Sequence, residues 1–195
     1  MTRVDVTIKR CFDIVAAALG LAILWPVIVV AWRLAARDTG ATGFFRQERV
    51  GRDGKLFKVI KIRTMRAMDG TTITTASDDR ITPLGAKLRR YKIDELPQLW
   101  NVLIGDMSVV GPRPDVRGFL DCLEGEDRKL LQLRPGITGP ASLKYRDEEQ
   151  MLANVKNPEQ HNTYVIWPDK VRINLEYMRN WSFVEDIRII LRTIS

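Results

Sequence analysis

Histidine and cysteine are almost missing from this chain of 195 residues. A single imidazole, His161, excludes any paired-histidine metal site. Two thiols, Cys11 and Cys122, cannot build a disulfide framework and have no metal-ligand spacing, which fits a reducing compartment. Acidic residues are outnumbered: 24 of them face 31 basic ones, giving a formal charge of +7. An excess of that size points to an anionic partner, whether nucleic acid, phospholipid headgroups or a phosphorylated substrate. Internal repeats, low-complexity tracts and a second domain are also lacking, and 45% apolar content excludes a disordered chain.

Charge of either sign is absent from Ile14 to Trp32. As a helix those residues would measure roughly 28 Å, close to the ~30 Å thickness of bilayer hydrocarbon. A spanning helix, a membrane-dipping re-entrant helix and a cleaved signal sequence all fit that run. Against the signal sequence, the run is long and no small-residue cleavage site follows it. Against a plain span, Pro26 removes a backbone hydrogen bond in the second half. Arg3, Lys9 and Arg10 before the run and Arg33 and Arg37 after it give no preferred orientation, as expected if both ends stay on one side.

What is present concentrates between Lys92 and Pro114 (KIDELPQLWNVLIGDMSVVGPRP). Adjacent carboxylates, Asp94 and Glu95, stand before Pro97, a residue suited to the first turn of a helix, here expected from about Pro97 to Ile104. Helix capping is the plain role for such acids. Lys87, Arg89, Arg90 and Lys92 precede them, however, as a cationic cluster able to hold an anion, and Pro112 and Pro114 stiffen the loop bearing Arg113.

Residues 44–66 carry eight Lys or Arg against Glu48 and Asp53. Arg52-Asp53-Gly54 is turn chemistry between two strands, so a β-hairpin is expected. Strand alternation puts Lys61 and Arg63 on one face, either as a solvated edge or, for Lys61, as a contact for a phosphate or for the acidic pair. Residues 67–80 read as a polar loop, 84–91 as an amphipathic helix, 115–133 as helical, and 134–140 as an irregular glycine-containing loop flanked by Arg134, Lys144 and Arg146. Trp181 to Ser195 has helical apolar spacing suited to core packing or to a membrane interface.

The segments KRCFDIV, RVGRDGKLFKVIKIRTM, TPLGAKLRRYKIDELPQ, DELPQLWNVLIGDMSVVGPRP and LRPGITG, in that order from near residue 9 to near residue 139, closely resemble the bacterial sugar transferases. These are the monotopic phosphoglycosyl transferases of glycoconjugate assembly. The resemblance implies an α+β, mainly helical fold. Residues 1–38 would form a re-entrant membrane helix, and residues 39–195 a compact cytoplasmic catalytic domain with a short β-hairpin and interfacial amphipathic helices. It assigns Asp94 as nucleophile, Asp94 and Glu95 to a Mg²⁺ site, and Lys61, Arg63, Arg89, Arg113 and Arg146 to substrate. Trp25-Pro26 stands where the family has a helix-breaking Ser-Pro pair, so the proline is kept and the hydroxyl is not.

The implied reaction moves a sugar 1-phosphate from a UDP-sugar to polyprenyl (undecaprenyl) phosphate, through an aspartyl-phosphosugar, with release of UMP. The expected place is the cytoplasmic face of the bacterial inner membrane, among phospholipid, without nucleic acid, with a homodimer left open. The chain reads as the small catalytic form without extra spanning helices. PASLKYRDEEQML, residues 140–152, departs from the family pattern and leaves the donor sugar open. The rival is a membrane-anchored basic module that recruits nucleic acid or acidic lipid. Charge and anchor fit it equally well, but it has no use for Asp94-Glu95.

Overall fold

The first helix, α1 (Arg3–Thr39), starts from a capping box. Asp5 N–H donates to Thr2 Oγ1 and Thr2 N–H returns a bond to the Asp5 carboxylate, at 3.2 and 2.6 Å. It ends at Gly40, whose φ of 66° reverses the chain. The computed structural model describes residues 2–66 and 79–194; residues 67–78 of the expected polar loop lie outside the described residues. Pro26 lies inside α1 and does not divide it, contrary to the expected break.

The long helix lies along the rest of the protein rather than projecting from it. Ala17, Ile28, Ala31 and Ala35 are buried against the body, and Gly20 lets Leu99 approach so closely that a Cβ would meet it at 3.0 Å. Val15, Leu19, Ile23, Val30 and Leu34 point outward at helical spacing. Polar bonds fasten the start of the helix. Lys9 pairs with buried Asp186 at 2.5 Å, and Asp13 accepts from Ser108 Oγ and Val109 N–H. Arg10 donates to the Val102 and Leu103 carbonyls.

The expected hairpin forms: β1 (Phe44–Val50) pairs antiparallel with β2 (Leu56–Ile62), from Phe44 opposite Ile62 to Val50 opposite Leu56. Its turn places Asp53 and Gly54 at positive φ, a conformation both residue types tolerate. Next come α2 (Pro83–Arg90), capped by Thr82, and α3 (Gln98–Ile104), both close to their expected bounds. Leu84 and Leu88 of α2 pack with Ile28 and Ala31 of α1, which assigns that apolar face to the core. Asn101 of α3 grips β2, accepting from Ile60 N–H at 3.1 Å and donating to Lys58 C=O at 2.9 Å.

Two expectations need correction. Residues 115–133 hold only short 3₁₀ turns, Leu120–Cys122 and Asp127–Gln132. Gly118 and Gly125, at φ of 95° and 56°, interrupt any helix there. The glycine-containing loop after Arg134 is a strand, β4 (Gly136–Thr138), parallel to β3 (Ser108–Val110). Glycines at 111, 136 and 139 make that pairing sterically feasible. A Cβ on Gly136 would fall 2.1 Å from Gly111 N, and one on Gly139 2.2 Å from Gly111 O.

The remaining helices are α4 (Pro140–Lys144), α5 (Glu148–Ala153), α6 (Pro158–His161), α7 (Trp167–Arg179) and α8 (Phe183–Ile194). Only α8 was legible beforehand. It buries Asp186 and Ile189 while Val184, Leu191 and Ile194 remain exposed, so it serves the core with part of a wider apolar face.

Candidate active site

Three elements bring the site together. After α2, Lys92 takes a left-handed conformation (φ 55°), an uncommon one for a residue of its type, and a 3₁₀ turn, Ile93–Glu95, follows at once. That turn buries both Asp94 and Glu95 just ahead of α3. Strand β2 supplies Lys61, and the loop leaving β3 supplies Arg113 between its two prolines. The Gly111 N–H···O=C Thr138 and Gly136 N–H···O=C Pro112 bonds, 2.8 and 2.7 Å, hold that loop against β4.

Both cations converge on one oxygen. Lys61 Nζ lies 3.0 Å and Arg113 Nη2 2.9 Å from Glu95 Oε1. Burial by itself would raise the Glu95 pKa, but Arg113 and Lys61 override it and hold this carboxyl well below the usual carboxylate range. Asp94 goes the other way, pushed up to about 6 by burial and then by the neighbouring Glu95 charge, against the pull of Lys61, Arg89 and Lys92. Its Oδ1 is buried with no hydrogen-bond partner. Adjacent carboxyls thus have divergent roles: Glu95 is a neutralised anchor for two cations, and Asp94 is a buried anion with an oxygen to spare.

The five expected substrate residues divide. Lys61, Arg113 and Arg89 gather around the acids; Arg89 acts on the charge of Asp94 and touches Met65 Sδ at 3.6 Å. Arg63 and Arg146 are not brought to this cluster. Just past the end of β2, Arg63 bonds Thr42 O and Phe44 O and covers the ring of Phe45, the cross-strand partner of Lys61, so it shares the face of Lys61 but is held by the hairpin's own backbone. Arg146 caps the end of α8 through the Arg192 and Thr193 carbonyls. Trp25 and Pro26 lie on the exposed side of α1.

Behind Arg113 stand residues that sequence reasoning missed. Asp115, raised to about 6 by burial, has Lys170, Arg49 and Arg113 around it. Glu148 adds negative potential at Arg113 and accepts from Lys170 at 2.7 Å on both oxygens. The departing stretch 140–152 therefore borders the site through Glu148, a placement no local pattern announces.

Among the described residues no group of three or more acidic, histidine or cysteine side chains could hold a metal ion alone. Two carboxylates, one with an unpartnered oxygen, are the hard oxygen donors that Mg²⁺ takes, and substrate phosphate and water would have to supply the rest. A buried acid pair ringed by cations, at the foot of an exposed apolar helix, is the arrangement on which the motifs converge. Residues 4–195 match the model of the bacterial sugar transferase family. The chain belongs to that family.

Several curated relatives agree with this membership. The chain is 37% identical over 193 residues to a UDP-glucose:undecaprenyl-phosphate glucose-1-phosphate transferase of Caulobacter vibrioides, covering 95% of this chain and 68% of that one. It is 36% identical to an exopolysaccharide production protein, PSS, of Rhizobium leguminosarum bv. phaseoli, covering 97% and 94%. It is also 36% identical to a UDP-glucose:undecaprenyl-phosphate glucose-1-phosphate transferase of Escherichia coli, where all of this chain spans only 41% of that protein. Within the bacterial sugar transferase family, then, this chain corresponds to nearly the whole of some members and to less than half of others. The names of the Caulobacter and Escherichia relatives identify sugar-phosphate transferases, and with the family match this chain is an enzyme of the phosphoglycosyl transferase type.

Proposed function

We propose that this enzyme transfers a sugar 1-phosphate from a UDP-sugar to polyprenyl phosphate in two steps, with Asp94 as the nucleophile, as the first membrane step of polysaccharide assembly. The observation that carries the reading is Asp94 itself: a buried carboxylate with an unpartnered oxygen, beside cations already gathered by Glu95. In the first step Asp94 attacks the phosphorus bearing the sugar. A carboxylate–phosphorus bond forms, the bond to the bridging oxygen breaks, and UMP leaves with the electron pair. In the second step a phosphate oxygen of the lipid attacks the same phosphorus and Asp94 leaves as a carboxylate, giving polyprenyl diphosphosugar.

Glu95 keeps Lys61 and Arg113 in place so that their charge faces the diphosphate without reorganisation as negative charge shifts to the leaving group. Arg113 uses one nitrogen on Glu95, and its side chain is still 43% exposed, which suits a guanidinium that also meets substrate. Asp94 and Glu95 would hold Mg²⁺, which when bound reduces the repulsion between carboxylate and phosphate.

The membrane part of the proposal is monotopic, with both ends of α1 on the cytoplasmic face. Its most apolar 18-residue window is only 17% buried, unlike the core helix of a soluble protein. Lys9 and Arg10 near its start and Ala31 and Ala35 near its end pack on the same body. A perpendicular span would pull one of those contacts into the bilayer. Lying along the body, α1 instead offers its outer apolar stripe to lipid and keeps the lipid acceptor near the site.

The test is a burst measurement in detergent. Donor and Mg²⁺ without acceptor should release about one UMP per enzyme and then stop, leaving a phosphosugar adduct on the peptide containing Asp94. Asp94→Asn should abolish both. UMP release only when the lipid phosphate is present, with no adduct at any time, would replace the two-step mechanism by direct attack.

A further inference from the structure

Among the described residues, Glu95 is the one ion-pair partner of Arg113, held through Nη2 at 2.9 Å. The backbone beyond it is better secured. Arg49 Nη1 donates to Pro114 C=O at 3.3 Å and Val50 N–H to Asp115 C=O at 2.9 Å, so the loop is pinned to the end of β1. The direction of the guanidinium then depends on the charges around it. Glu95 does most to favour its charged form, and Glu148 and Asp115 act in the same sense. Two further acids therefore compete with Glu95 for one cation.

Lys170, in the first turns of α7, answers that competition. Its side chain is 14% exposed, and Nζ donates to both Glu148 oxygens at 2.7 Å. Burial raises the Asp115 pKa to about 6, and Lys170 is the foremost of the cations opposing it, ahead of Arg49 and Arg113. One ammonium thus balances both acids. Tyr145 braces it: the ring centroid lies 5.7 Å from Nζ, and the hydroxyl donates to Asp169 at 2.7 Å. A partly buried ion pair adds little net stability, because desolvation offsets the attraction. What it does here is place charge.

We propose that Lys170 is a positioning residue for the donor site. By neutralising Glu148 and Asp115 it leaves Glu95 to direct Arg113 and keeps the rest of that guanidinium turned to the donor diphosphate. Without the ammonium, Glu148 loses its bonded partner and, with Asp115, draws Arg113 away from Glu95. Glu148 belongs to the stretch 140–152 that departs from the family pattern, so this chain carries both a competing acid and the cation that silences it. The inference rests on Arg113 meeting the diphosphate, as in the proposed transfer. It does not depend on which group attacks phosphorus, and its test reads binding rather than turnover.

Affinity for UDP with Mg²⁺ is measured by isothermal titration calorimetry on the full chain in detergent at pH 8, where Asp115 is an anion. Lys170→Met keeps the apolar stem and should weaken UDP about tenfold, the scale expected for coupled neighbouring charges. Lys170→Arg should recover most of that loss, because a guanidinium also holds a carboxylate by two bonds. Adding Glu148→Gln to Lys170→Met should recover most of it too, since the freed acid is gone. In an Arg113→Gln chain, itself weakened, Lys170→Met should cost nothing further, because its route to the ligand is missing. Arg188→Gln, which removes an exposed cation of α8, should bind UDP as the parent does. A similar loss from Lys170→Met in the Arg113→Gln chain would mean that Lys170 touches the ligand or supports the fold, and would overturn the positioning role. So would unchanged affinity in Lys170→Met, or failure of Glu148→Gln to restore it. Full affinity in Arg113→Gln alone would remove Arg113 from the donor site and this inference with it, while the phosphosugar adduct on Asp94 judges the two-step mechanism separately.

Discussion

Asp94 and Glu95 are neighbours in the chain with opposite protonation behaviour, and the cause lies in their partners rather than in their burial. Both are buried, but Glu95 holds two cations by one oxygen while Asp94 Oδ1 holds none. The nucleophile proposed for the reaction is the Asp94 anion, so turnover should rise with pH through about 6 and level off above it. The effect on stability has the reverse sign. The folded pKa lies above the reference 3.8, so the folded state gains stability from Asp94 below about pH 4 and loses it as pH rises through 6. Asp94→Asn removes the buried charge and should therefore be the more stable protein at pH 8, by ~1–3 kcal/mol, while being inactive. Denaturant unfolding in micelles at pH 5 and pH 8 measures this. A variant less stable than the parent at pH 8 would mean that Asp94 makes favourable bonds as an anion.

At the scale of elements, the short β3–β4 pair controls where Arg113 stands. Gly111 and Gly136 bring two backbones into contact, and a Cβ on Gly111 would lie 2.4 Å from the Arg134 carbonyl oxygen. Gly111→Ala must push the strands apart and carry Arg113 away from Glu95. Displacements near 1 Å can cost about 10²-fold in rate, so a loss of that order in turnover is expected, together with ~1–3 kcal/mol of stability. Gly40→Ala is the comparison: its φ of 66° makes the change strained, but nothing stands within 4 Å of the added carbon. It should lose about 1 kcal/mol and keep its turnover. Similar rate losses in the two variants would detach Arg113 placement from this strand pair.

For the whole molecule, the decisive relation is between α1 and the body it lies on. At 37 residues the helix measures roughly 55 Å, far longer than a ~30 Å hydrocarbon layer needs. Its two ends are fastened to the same catalytic body by Lys9–Asp186 at one end and by Trp32 stacked on Phe44 at the other. Single cysteines at Thr2 and Ala41, in a chain with exposed Cys11 and Cys122 replaced, should therefore react with impermeant reagent from one side of inverted vesicles only. Reaction from opposite sides would establish a spanning helix and remove the monotopic arrangement.

The sequence alone determined the features that rest on local rules. Residue order settled the hairpin turn at Arg52–Gly54, the helix after Pro97, the amphipathic last helix, the apolar first helix and the family to which the motifs point. Each of these depends on neighbours a few positions apart: turn chemistry, periodicity and a run without charge. Contacts across long separations were decided only in three dimensions. The pairing of β3 with β4, which the close approach of Gly111 and Gly136 permits, has no periodic signature, and so 134–140 reads as loop. Arg63 and Arg146 look like candidates by charge, yet backbone carbonyls of other elements hold them. Glu148 and Lys170 are ordinary surface types in sequence and reach the site's border only because α5 and α7 meet there. Local chemistry names the groups able to bind an anion, and packing selects which of them face it.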